Sequence, residues 1–392
     1  MTEHKFKNTI INFGPQHPSS HGVLRMVLEL DGEVIERAEP VIGQLHRGTE
    51  KLMEDKTYLQ SVPYFDRLDY VAPVNYEHTW VLSAEKLLNL EIPKRAQYLR
   101  VMFLELSRIS KHLLCLAAQS LDCGALTPTM WAYEIREQIM EFFEEVAGGR
   151  LHVNYFRVGG LASDVSPEFL EKINKWLDDF EKKFPDIHNL VQDNRIFKQR
   201  TVDIGIITKE QALDFAFSGP NLRASGVAWD LRKNQSYEIY DEIDFDIPIG
   251  KTGDCFDRYM VRVAEVYQSI KIIRQCLNNM PKGLVLLDNY KITVPPRAKM
   301  KESMEVLIHH FKLFSEGFYV PKGDVYVATE TPSGEFGVYL VSQGGPKPYR
   351  VHLRSNGLAH LHALQYIAPK HQLSDLATML GSLDLVLGEV DR

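Results

Sequence analysis

Residues 92–124 read IPKRAQYLRVMFLELSRISKHLLCLAAQSLDCG. Leu99, Met102, Phe103, Leu106, Ile109, Leu113 and Leu116 recur at three- and four-residue spacing, which is the repeat of one helix face. Ile92-Pro93 opens the segment and Asp122-Cys123-Gly124 stops it, so one long helix is expected. Its polar faces carry Arg100, Glu105, Arg108 and Lys111.

Working outward, Thr127-Pro128 starts a second helix through Trp131, Ile135, Ile139 and Phe142, ending at Gly148-Gly149. Further helices are expected over 74–90, 166–191, 208–217, 257–280 and 303–316. The N-terminal residues 5–45 read as extended. Val23 to Glu29 alternates apolar with other types, Asp31-Gly32 turns, and Glu33 to Glu36 returns, which is a hairpin signal. From Asp324 the pattern reverts to strands at Val325–Val327, Phe336–Val341 and Tyr349–Leu353, an antiparallel meander followed by a helical tail. The expected class is α+β, a central helical bundle with antiparallel β pieces at both ends. Its segments are an N-terminal α+β piece over 1–70 with the hairpin, a helical core over 71–290, and a C-terminal α+β piece over 291–392.

The composition narrows the function. With 392 residues, 44% of them hydrophobic and a formal net charge of −7, the chain has the make-up of a folded globular protein rather than a disordered one. No Lys/Arg run offsets the acidic balance, so nucleic acid is not an expected partner. The four cysteines, at 115, 123, 255 and 276, form no CxxC pair, which disfavours a zinc ribbon or a self-contained iron–sulfur site. No apolar stretch reaches the roughly 20 residues needed to span a bilayer. Any membrane association is therefore expected to run through partners. MTEHKFKNTI shows neither a signal-peptide apolar region nor a transit segment.

Several clusters could carry chemistry. Gly14-Pro15-Gln16-His17-Pro18-Ser19-Ser20-His21-Gly22 has two histidines four apart, but its prolines and glycines forbid a metal-binding helix. It reads either as a turn with backbone-bonded histidines or as a tip presenting His21 to a ligand. Arg47 and Arg67 with Tyr58, Tyr64, Phe65 and Tyr70 read either as solvated charges or as a cleft for a flat, partly anionic ligand. Asp122 ends a helix, where the dipole disfavours an anion. Gly253-Asp254-Cys255-Phe256-Asp257-Arg258 reads as an acidic helix cap. No GxGxxG, Walker, GxSxG or HExxH motif occurs.

Taken together, GPQHPSSHGVLR (14–25), LHRGTEKLMEDKTYLQ (45–60), PYFDRLDY (63–70), LDCGALTP (121–128), LRASGVAWDLRK (222–233), GDCFDRYMVR (253–262), GEFGVYLVS (334–342) and the terminal GEVDR resemble one family nearly end to end. It is the hydrogenase-like, quinone-site subunit of respiratory complex I, the NADH:quinone oxidoreductase. That family is similar to the large subunit of nickel–iron hydrogenases, which hold their metal through two CxxC pairs. Here Arg67 to Ala72 and Asp384 to Glu389 stand at those positions with no thiolate.

The resemblance implies a former metal cavity that takes a quinone, ubiquinone as the expected one, with no metal in this chain. It implies His21 and Tyr70 as headgroup contacts and proton donors, with Asp122 orienting and charging the histidine. Their ordinary pKa values, about 6.5 and about 10, suit that task. It places Arg47, Arg67 and His152 near an iron–sulfur cluster held by a neighbouring subunit. Implied partners are that small cluster-bearing subunit, the 30-kDa-type subunit and the membrane-arm subunit at the quinone channel. The implied location is peripheral on the inner membrane, on the cytoplasmic side in a bacterium or the matrix side in a mitochondrion. A related membrane-bound hydrogenase-type subunit and a non-catalytic scaffold of the same fold are the alternatives. Val41 and Val158 stand where such families often carry His and Pro, which bears on one wall of the cavity and touches none of the three headgroup residues.

Overall fold

The computed structural model describes residues 8–20 and 22–392. Its axis is the helix Lys94–Asp122, 29 residues long. Against it pack Pro73–Leu88, Leu126–Ala147 and Cys255–Asn279, while Pro167–Gln192 lies across the last two. Local caps fix several of these ends. Ser166 accepts from Phe169 N with Pro167 at the first helical position, and Asp254 accepts from Asp257 N. Gly148, at φ 77°, ends Leu126–Ala147 in the left-handed region a glycine tolerates.

The axial helix corrects one expectation. Its apolar stripe is buried, but so are Arg100, Glu105, Arg108 and Lys111, which do not face solvent. From Val101 to Ala117 the helix is enclosed on nearly every side, so its charges must find partners inside. Arg100 grips Glu85 with two bonds of 3.0 and 2.6 Å and Glu238 with one of 2.9 Å. Glu105 takes Arg232, the Tyr240 hydroxyl at 2.7 Å and the Ser269 hydroxyl at 2.6 Å.

Strands β1 (Thr9–Phe13), β2 (Arg25–Asp31) and β3 (Val34–Val41) form an antiparallel sheet in that order. Met26, Leu28 and Leu30 alternate inward along β2, and Asp31 pairs with Val34 across the expected turn. The two-residue strands β4 (Phe156–Arg157) and β5 (Gly160–Leu161) make a small clip. At the far end, β6 (Gly323–Thr331), β7 (Gly334–Ser342) and β8 (Arg350–Arg354) are the expected meander, and β6 and β7 lie on Pro73–Leu88. The tail folds as Asn356–Ile367, Leu373–Leu383 and Leu387–Asp391.

Among the described residues two apolar cores result. One fills the bundle and the inner face of the β6–β8 sheet. The other joins Met26, Leu28 and Ile35 to Leu364, Leu376, Met379 and Val390, so the first sheet shares a core with the C-terminal helices. Short helices at Thr49–Met53, Tyr58–Asp66 and Arg195–Thr201 carry no long periodic stripe and are not legible by spacing. The helix expected over 208–217 ends early, at Asp214. Among the described residues no helix is long and apolar enough to cross a membrane.

Candidate functional site

Tyr58–Asp66 and Pro73–Leu88 are joined by the loop Arg67 to Ala72. Asp69 Oδ1 accepts from Val71 N at 3.0 Å and Ala72 N at 3.3 Å, which turns the chain, and Pro73 then starts the next helix. The turn buries Leu68, Asp69 and Ala72 and leaves Arg67 and Tyr70 outside, with Tyr70 39% exposed. Burial and the Asp69 carboxylate raise the proton affinity of the Tyr70 hydroxyl, against the Lys111 ammonium.

Behind this loop lies Asp384 to Glu389. A Cβ on Gly388 would stand 2.6 Å from Leu68 O and 3.0 Å from Arg67 O, so only a glycine lets the two segments meet. Lys111 of the axial helix lies among their carboxylates. Its Nζ donates to Asp69 Oδ2 at 2.5 Å and to Ser333 Oγ at 2.9 Å, and stands 3.7 Å from Asp384 Oδ2. Glu389 accepts from the Tyr76 hydroxyl and from Gly357 N at 3.0 Å. The segments that the resemblance aligns with metal-binding thiolates therefore do converge, around an ammonium. Among the described residues no group of three or more His, Cys, Asp or Glu side chains is arranged to hold a metal ion.

Asp122 is the last residue of the axial helix, and its Oδ2 lies where a Cβ on Gly381 would come within 2.5 Å. Asp384 caps the helix that holds Gly381, Leu373–Leu383. Asp122 and the surroundings of Tyr70 thus border one element. Position 21 lies outside the described residues. On either side of it, the turn Pro18–Ser20 packs on Leu373–Leu383, and a Cβ on Gly22 would lie 3.7 Å from Leu387. His17 Nδ1 accepts from Ser19 N at 3.2 Å, the backbone-bonded turn of the first reading.

The basic residues gather as well. Arg47 Nη2 donates to Arg67 O at 2.6 Å, and Arg67 Nη1 to Pro63 O at 2.7 Å. Burial, then the Arg67 charge, lower the proton affinity of Arg47, and burial, Arg67 and Arg47 do the same for His152. The His152 Nδ1 atom is buried with no partner. Beneath them Asp66 and Glu77 face each other. Asp66 Oδ2 accepts from Asn154 N, while Glu77 Oε2 accepts from Tyr155 N and Phe156 N. Burial and Glu77 push the Asp66 carboxyl up to about 10, so it holds a proton at neutral pH.

The aromatic cleft does not form as read. Tyr58 and Phe65 are core residues stacked on Trp80, and only Tyr70 of the set projects outward substantially. Spacing missed Lys111 and Tyr76. The available signal was the dense apolar character of residues 101–118, which marks a helix whose charges are internal. Cavities of about 810 Å³ beside Glu85 and Tyr237 and about 520 Å³ beside His46 and Arg392 include neither Tyr70 nor Asp122.

The architecture is a mixed helical and antiparallel one, with a buried charge cluster where the segments Arg67 to Ala72 and Asp384 to Glu389 meet. The family model described as "Respiratory-chain NADH dehydrogenase, 49 Kd subunit" matches residues 122–392. A protein of Wolbachia pipientis subsp. Culex pipiens, named as the D-type subunit of NADH-quinone oxidoreductase, is 59% identical over 98% of this chain and 99% of its own length. Proteins of the same name from Rickettsia typhi and Parvibaculum lavamentivorans are 57% identical over 98% and 56% identical over 100% of this chain, covering 99% and 100% of their own. The chain belongs to the 49 kDa subunit family of respiratory-chain NADH dehydrogenase and is a subunit of that oxidoreductase complex.

Proposed function

We propose that this chain forms, with a partner bearing an iron–sulfur cluster, the site where quinone is reduced to quinol. Two electrons come from the partner's cluster, and two protons must reach the carbonyl oxygens as negative charge builds on them. Tyr70 and His21 are the donors at the two ends, and Asp122 orients His21 and stabilises its charged form. Arg47, Arg67 and His152 form the basic patch that favours the reduced cluster. The partner set is the small cluster-bearing subunit, the 30-kDa-type subunit and the membrane-arm subunit at the channel, which hold the chain peripherally on the inner membrane.

The observation carrying this reading is Tyr70. Its side chain is partly exposed on a loop backed by buried charge and flanked by the basic patch. The test is Tyr70→Phe in membranes. The expected result is a raised KM for quinone and turnover down about tenfold or more, with assembly intact. Unchanged quinone kinetics would sink the assignment. Asp122→Asn is expected to slow quinone-coupled turnover more than reduction of an artificial acceptor upstream, and equal losses in both assays count against its role.

A further inference from the structure

We propose that Asp391 and Arg392 clamp the loop 43–47 and are positioning residues for Arg47, fixing where its guanidinium stands in the basic patch. The proposal rests on the reading above, in which that patch favours the reduced cluster of the partner. Both residues act through Arg47.

The loop has little of its own to hold it. It leaves β3 at Val41, carries no helix or strand until Thr49, and exposes Gly43, Gln44, His46 and Arg47. Leu45 alone of 43–47 packs partly against the core shared with the C-terminal helices. Ordering such a segment costs backbone entropy that one half-buried leucine does not offset. The Arg67 charge close to Arg47 adds repulsion between two cations.

Residues 391 and 392 supply the missing contacts. The buried Asp391 carboxylate accepts from Gly43 N at 2.9 Å through Oδ1 and from Leu45 N at 2.7 Å through Oδ2. The Asp391 backbone oxygen accepts from His46 Nδ1 at 2.7 Å, and Arg392 O accepts from Arg47 N at 3.2 Å. Two residues thus hold one loop through four hydrogen bonds, across 345 to 348 positions of sequence. Hydrogen bonds to an ionised carboxylate are the stronger kind. With both oxygens committed to main-chain N–H groups, Asp391 fixes a backbone rather than neutralising a side chain.

The clamp is itself anchored. Arg392 Nη1 donates to Leu353 O in β8 at 2.6 Å and stands 3.6 Å from Glu50 Oε1, in the helix that follows Arg47. Gly388, in the same short helix as Asp391, lies against Leu68 O and Arg67 O. Arg47 Nη2 closes the circuit by donating to Arg67 O at 2.6 Å. One piece therefore meets both loops that carry the arginines of the patch, so losing the Asp391 carboxylate frees Arg47 relative to Arg67. A charge acts on a cluster through its distance, and the clamp sets that distance.

The test uses the intact complex in membranes, with Asp391→Ala, Arg47→Ala and the double variant. The readout is the reduced-to-oxidised ratio of the partner's cluster at a fixed potential, per assembled complex, taken by electron paramagnetic resonance. Each single variant is expected to lower that ratio about three- to tenfold. The double variant is expected to lower it no further than Arg47→Ala, because Asp391 works through Arg47. A merely structural role lowers the amount of assembled complex and leaves the ratio unchanged. That result, or losses that add in the double variant, overturns the proposal. Should Asp391→Ala fail to assemble, Asp391→Asn keeps one acceptor oxygen and is expected to give a smaller drop in the same direction; an unchanged ratio overturns the clamp. Amide exchange of wild type needs no variant. The amides of 43–47 are expected to be protected despite their exposure, and exchange at the rate of a free loop contradicts the proposal. The two readings separate cleanly. If Arg47→Ala lowers the ratio while Asp391→Ala leaves it, only the clamp fails. If Arg47→Ala changes nothing, the reading of the patch fails and the proposed role of Asp391 falls with it.

Discussion

Gly388 shows how one atom's absence sets the site. Leu68 O and Arg67 O stand 2.6 and 3.0 Å from where its Cβ would be, and neither backbone oxygen can swing away as a side chain could. Gly388→Ala is therefore expected to cost about 1–3 kcal/mol and to push the Arg67 to Ala72 loop off the C-terminal segment. A lower melting temperature together with a raised KM for quinone would show it, and wild-type values for both would contradict it. At this scale the sequence was informative unevenly. The motif holding Arg67 and Tyr70 was legible, but not which of its aromatic residues face outward, and Arg47, Arg67 and His152 lie near one another. Lys111 was not legible. A lysine in a helix has the same letter whether it meets water or three buried carboxyls.

The axial helix carries the lesson for elements. Its span and both ends were readable, because apolar spacing and a Pro-to-Gly bracket are local properties. The environment of its charges was not, since that depends on what packs against every face. Arg232 and Arg108 together hold Glu105, and Arg232 also takes Asp230 Oδ2 at 2.7 Å. Arg232→Met keeps volume but strips the nearest compensation from two buried carboxylates, and is expected to destabilise by about 3–5 kcal/mol. Thermal unfolding of the variant checks it; a loss well under 1 kcal/mol would mean the cluster tolerates a missing cation. The helix Tyr58–Asp66 escaped reading for a different reason. It is only nine residues with Pro63 inside, held by the Thr57–Gln60 capping box and by burial of Tyr58 and Phe65.

For the whole molecule, the buried charges predict a dome of stability against pH. Arg100 holds Glu238 down to about 2, and Arg232 and Arg223 hold Asp230 down to about 2, each against the effect of burial. Depressed carboxylates stabilise above their ordinary values, and that contribution is lost as pH falls from about 4 toward 2. His360, lowered to about 3 by burial, adds an acid-side loss of its own that begins once pH drops below about 6.5. In the other direction Glu389, raised to about 7, and Asp66, raised to about 10, keep their protons only in the folded chain, so their contributions are full below about pH 4 and are lost as pH climbs from there to those values. The melting temperature is thus expected to be highest near about pH 4 to 5 and to fall in both directions, and Glu389→Gln should reduce the fall between about pH 4.5 and 7. A flat profile from about pH 5 to 7 would contradict the assignment of the Glu389 proton, and one from about pH 7 to 10 that of the Asp66 proton.

The sequence by itself determined the elements and the family. Periodicity, caps and turn residues act over a few neighbours, so the long helices, the hairpin and the final meander could be read directly, and the ordered motifs identified the family they resemble. Only the tertiary structure decided which residues are inside and which meet. It placed the first sheet and the C-terminal helices around one core, seated Lys111 between Arg67 to Ala72 and Asp384 to Glu389, and sent Tyr58 and Phe65 into the bundle. The reason is physical. Burial, ion pairing and the pKa values they set depend on atoms far apart in the chain, 313 residues in the case of Tyr76 and Glu389. No local pattern encodes that proximity.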